Sequence, residues 1–85
     1  MVHRDIELNL ESWLKAKSAA VFIQKASDYK SSIWIEKDNK KANAKSLLGL
    51  LALEITPGCS VRLIAQGEDE DIAIAELGEF LTQNV

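Results

Sequence analysis

The sequence has one cysteine, one proline and one histidine, and no long uninterrupted apolar run. With Cys59 alone, an intrachain disulfide and any zinc site built on several cysteines are ruled out, and a reducing cytoplasm is the expected compartment. Met1 to Leu10 carries a charge every few residues, unlike a signal peptide or a membrane span, so no membrane association is expected. Positive charge is also in the minority. Ten Lys and Arg against 13 Asp and Glu leave a net charge of -3, which gives no basis for a general nucleic-acid or anionic-membrane surface. Proteins and anionic groups are the expected partners, with no direct contact to nucleic acid.

Signatures of catalysis are missing as well. His3 has no serine or cysteine nucleophile paired with it and is expected to be an exposed, non-functional side chain. There is no glycine-rich phosphate loop, no metal-spaced His/Cys cluster and no pair of catalytic carboxylates. No enzymatic activity, cofactor or metal is expected.

What remains is the composition of one folded domain over residues 1–85, 47% hydrophobic and 27% charged. From Asp5 to Glu11, Ile6, Leu8 and Leu10 alternate with polar residues as in a half-buried strand. From about Lys17 to Ser27 the period becomes helical, with Ala16, Ala19, Ala20, Ile23 and Ala26 on one stripe. Ile33-Trp34-Ile35 predicts a strand ending at Asp38-Asn39, a pair suited to the positive φ angles of a tight hairpin, and Lys41–Ala44 returns. A short helix follows Ser46 as far as Glu54. After Pro57-Gly58, Val61, Leu63 and Ala65 alternate with Arg62, Ile64 and Gln66 as a fourth strand. Glu68, Asp69, Glu70 and Asp71 suit the solvated first turn of a last helix, where carboxylates meet the positive dipole end, with Ile74, Leu77 and Leu81 as its buried stripe. The order β-α-β-β-α-β-α predicts an α+β fold with helices packed on one sheet face.

The segment after Ser46 holds more leucine than one face can bury. At about 100° per residue, Leu50 and Leu53 share one side of the helix and Leu47, Leu48 and Leu51 gather on another. Either neighbouring loops cover the second group, or it remains exposed as a partner surface; the second is expected. Ser46 sits at the edge of that surface as the presumed N-cap, which by itself is an ordinary role for a serine before a helix. A phosphate at this position would meet free backbone N–H groups, so modification need not unfold the helix. Lys15 and Lys17, around the first turn of the first helix, oppose its dipole. They are either solvated surface lysines or part of a dock for an anionic group or acidic partner.

Taken whole, the sequence resembles the HPr family of the phosphoenolpyruvate-dependent sugar phosphotransferase system, in particular its catabolite-repression branch, the Crh proteins. The segment from Ile35 to Leu50, containing Lys45-Ser46-Leu47-Leu48-Gly49, and the segment from Leu63 to Glu70 carry the resemblance. It implies an open-faced β-sandwich, a four-stranded antiparallel sheet with three helices on one face. It also implies that Ser46 is phosphorylated by HPr kinase/phosphorylase with ATP. The phosphorylated form would then bind catabolite control protein A as a corepressor, with Ser46, Leu47, Leu48, Leu51, Lys15 and Lys17 as the contact residues.

The departure from the family pattern lies at the start of the first helix. Where the family has histidine, then Ala, Arg and Pro, this chain has Lys15-Ala16-Lys17-Ser18. Lys15 thus occupies a degenerate phosphocarrier site. Its ammonium, with an ordinary pKa of about 10.4, has no lone pair, and deprotonating it at neutral pH costs about 4–5 kcal/mol. Lys17 keeps a charge but loses the planar bidentate fork of arginine. The resemblance therefore implies a non-catalytic regulatory protein. The alternatives are a phosphocarrier component that uses a residue other than histidine, and an unphosphorylated competitor for HPr partners.

Overall fold

The computed structural model describes residues 1–7, 16–53 and 60–82, with side chains outside 16–19. Seven elements follow in the order β1 (Val2–Glu7), α1 (Ala16–Ser27), β2 (Ser32–Lys37), β3 (Lys40–Asn43), α2 (Leu47–Ala52), β4 (Ser60–Gln66) and α3 (Glu70–Thr82). The strands form one antiparallel sheet in the order β1-β4-β2-β3. This is the α+β arrangement anticipated from the element order, with the open-faced antiparallel sheet that the family resemblance implied. None of the described helices is long and apolar enough to cross a membrane.

Alternation sorts the sheet into two faces. Ile6, Val61, Leu63, Ala65, Ile33 and Ile35 are buried on the helix side, where they join Phe22 and Ala26 of α1, Leu50 and Leu53, and Ala73, Leu77 and Leu81 of α3. On the opposite face the register brings Asp5, Arg62, Glu36 and Lys41 into one row across all four strands. Charges of alternating sign thus lie side by side there, and Arg62 Nε bonds Asp5 Oδ1 at 2.8 Å. Such cross-strand pairing lets a sheet face remain charged without like charges in contact.

Turn chemistry sets the connections. Asp38 and Asn39 have φ of 51° and 66°, as a two-residue hairpin whose twist matches its strands requires. Gly67 has φ of 153°, and a Cβ there would lie 2.7 Å from the Ser31 Cα, so backbone conformation and close approach both require glycine.

Several boundaries and stripes differ from the sequence reading. β1 begins at Val2, and the predicted strand residues Leu8 and Leu10 lie outside the described residues, as does Glu54 at the end of the predicted second helix. In α1 the fully buried side chains are Phe22, which the expected stripe left out, and Ala26, which it included, with Ile23 partly buried and Ala20 exposed. The ring fills the space above the sheet that an alanine stripe would leave empty, and it lies 6.1 Å from the Phe80 ring. In α3, Ala73 is buried in place of Ile74, which packs only against the margin of the core. Glu68 and Asp69 precede that helix, and Asp69 is not simply solvated. Its carboxylate accepts the backbone N–H groups of Lys30 and Ser31, both at 2.9 Å, together with the Ser31 hydroxyl.

Candidate functional site

The turn from β3 into α2 fixes Ser46. The Ser46 N–H donates to the Asn43 carbonyl at 3.0 Å, while the Asn43 side-chain oxygen accepts the Lys45 N–H at 2.8 Å. Ser46 itself is extended (φ -116°, ψ 116°), and its Oγ accepts the Gly49 N–H at 3.2 Å. That geometry is an N-cap: a hydroxyl oxygen receives one of the amides the first helical turn cannot pair. Gly49 presents no side chain toward this oxygen; a Cβ there would stand 3.4 Å from Oγ. The first turn of α2 carries no acidic side chain, so an anion on Ser46 would meet no like charge within the helix.

Beyond the cap, the leucines divide as their spacing requires. Leu50 and Leu53 retain 3% and 7% of their surface, whereas Leu47, Leu48 and Leu51 expose 44%, 81% and 57%. The latter three form an apolar surface that begins one residue after the capping hydroxyl. α2 also packs beside α1. Lys15 lies outside the described residues, and Lys17 is placed only as backbone in the first turn of α1. His3 is exposed on edge strand β1. Among the described residues, no group of three His, Cys, Asp or Glu side chains converges as a metal site.

Over residues 2–83 the chain matches the family described as PTS HPr component phosphorylation site. The chain belongs to the HPr family. Among its relatives, the HPr-like protein Crh of Bacillus subtilis is 44% identical over 85 residues, the whole length of both chains. The phosphocarrier protein HPr of Borreliella burgdorferi is 38% identical over 81 residues, 95% of this chain and 94% of that one. The crystal structure of HPr-C-His from Thermoanaerobacter tengcongensis superposes with a TM-score of 0.90 at 44% identity, covering 95% of this chain and 91% of that one.

Three polar features of this HPr-family fold have no counterpart in sequence patterning. Lys45 Nζ donates to the carbonyls of Tyr29 and Ser31 at 2.9 and 3.0 Å, and Lys37 Nζ donates to the Leu53 carbonyl at 3.2 Å. The hydrogen bond from Ser31, followed by the Lys30 amide, holds the Asp69 carboxyl down at about 2. The partners of Lys37, Lys45 and Asp69 are 14 to 39 residues away along the chain, beyond the reach of any periodicity.

Proposed function

We propose that this chain is a cytoplasmic, non-catalytic regulator of the HPr family, phosphorylated on Ser46 by HPr kinase/phosphorylase and read in that form by catabolite control protein A. The observation that carries the reading is a capping serine at the edge of three exposed leucines. The hydroxyl is half-buried at a helix start that tolerates an anion, and the leucines supply apolar area at the same edge. A phosphate would add about two negative charges and acceptor oxygens suited to a basic pocket. Lys15, together with Lys17 of helix α1, completes the contact surface in this reading. The likeness to the HPr-like protein Crh along the full length supports it further.

Incubation with ATP and HPr kinase/phosphorylase, with mass mapping of the product, tests the first step. One phosphate on Ser46 and none on the Ser46→Ala chain is the expected result. The phosphorylated chain should then bind catabolite control protein A in a titration where the unmodified chain does not. Equal binding by both forms would favour an unphosphorylated competitor and remove the corepressor role.

A further inference from the structure

Helix α2 is six residues long, whereas an isolated helix is marginal in water below about 12–15 residues. Its buried anchors are Leu50 and, at the C-cap, Leu53, whereas Leu47, Leu48 and Leu51 are exposed. Two apolar anchors fix how deep a short helix sits more firmly than they fix its direction. Each end is also held by an ammonium group from outside the helix.

At the far end, Lys37, the last residue of β2, donates Nζ to the carbonyl of Leu53, the C-cap residue. Carbonyls at a helix C-terminus lack intrahelical donors, and a cation there also complements the dipole. At the near end, Lys45, one residue before the cap, reaches back to the carbonyls of Tyr29 and Ser31. That segment is itself fixed, because Asp69 accepts the Lys30 and Ser31 amides. The start of α2 is therefore tied through Lys45 to the segment that also holds the start of α3. Both lysines are half-buried, and neither belongs to the exposed leucine surface.

We infer that Lys37 and Lys45 are positioning residues for the α2 docking surface, holding the helix in the orientation a partner meets. This rests on the reading of α2 as the docking element. A surface ordered in advance loses less conformational freedom when a partner docks, so the two lysines contribute to affinity through the helix.

The test is amide hydrogen exchange on the full unphosphorylated chain, comparing the parent with Lys37→Met, Lys45→Met and Lys37→Arg. Methionine keeps much of the aliphatic stem and removes the donor. Exchange at Leu50, Leu51 and Leu53 should accelerate at least about tenfold more than at Leu63 and Ala65 of β4 in both methionine variants, while Lys37→Arg stays near the parent. A smaller differential, or an acceleration in Lys37→Arg equal to that in Lys37→Met, overturns the inference. The phosphorylated methionine variants should also bind catabolite control protein A at least about fivefold more weakly than the phosphorylated parent. Loosened α2 amides with unchanged affinity would overturn the inference too. If the phosphorylated parent itself fails to bind, the proposed function falls, and the exchange comparison still decides whether the lysines position α2.

Discussion

At Asp69 a single carboxylate joins two parts of the chain that sequence reading leaves unconnected. It accepts the Lys30 and Ser31 amides and the Ser31 hydroxyl, and these bonds depress its pKa to about 2 from an ordinary Asp value near 3.8. Between those two values the unfolded chain binds more protons at this group than the folded one, so stability rises with pH there. The contribution is present above about pH 4 and is lost as pH falls toward 2. Denaturant midpoints measured across this range should fall more steeply for the parent chain than for Asp69→Asn; parallel curves would remove the linkage. Gly67 closes the same corner. Gly67→Ala forces a Cβ against the Ser31 backbone at an unsuitable φ, and thermal unfolding should report a loss of more than about 1 kcal/mol. Local residue roles such as the Asp38-Asn39 hairpin and the Ser46 cap were legible because their physics spans a few neighbours. The role of Asp69 was not, because an acidic residue just before a helix has a sufficient local explanation and its actual partners lie 38 and 39 residues away.

Elements were legible where apolar spacing was strong and misread where it was diluted. In β1 the core-side positions are Val2, Arg4 and Ile6, as their pairing with Ala65, Leu63 and Val61 requires. Arg4 runs along Gly78 of α3, where a Cβ would meet its guanidinium at 2.5 Å, so a charged side chain occupies a position that alternation reserves for an apolar one. The periodic signal therefore began too late. In α1, alanines spread over the helix blurred the stripe, and the decisive Phe22 fell between the chosen positions. α2 is the opposite case. Its leucines are dense enough that geometry alone separated the buried pair from the exposed three. That separation makes a clean contrast in substitution. Leu50→Ala should cost about 2–5 kcal/mol of folding stability, because it opens a cavity in the core. Leu48→Ala should change stability by no more than about 0.5 kcal/mol and weaken binding of the Ser46-phosphorylated chain to catabolite control protein A by about 1 kcal/mol or more. Thermal melts run beside binding titrations separate the two effects, and a destabilised Leu48→Ala chain with normal affinity would place that leucine in a structural role.

For the molecule as a whole, the resemblance to the HPr family implies two phosphoryl chemistries, and on the proposed reading this sequence retains the residues of one. The Ser46 arm needs a hydroxyl at a helix start, an apolar surface beside it and a helix held in place, all of which are present among the described residues. The histidine arm needs a nucleophilic lone pair at neutral pH and a bidentate cation to receive the phosphoryl group. On the proposed reading, Lys15 and Lys17 stand at the corresponding positions and supply positive charge without either function. Because the two arms use different atoms, losing one leaves the other chemically intact. In a reconstituted reaction with phosphoenolpyruvate and the general enzyme of the phosphotransferase system, the chain should therefore acquire no acid-labile phosphate. ATP with HPr kinase/phosphorylase should still label Ser46 fully. Lys15→His should restore part of the transfer from phosphoenolpyruvate, since it returns an imidazole, but not all of it, since Lys17 and Ser18 remain where the family has arginine and proline. The Ser46 reaction should be unchanged by that substitution. Acid-labile phosphate on the parent chain would show that another side chain acts as acceptor, and the molecule would then be a carrier after all.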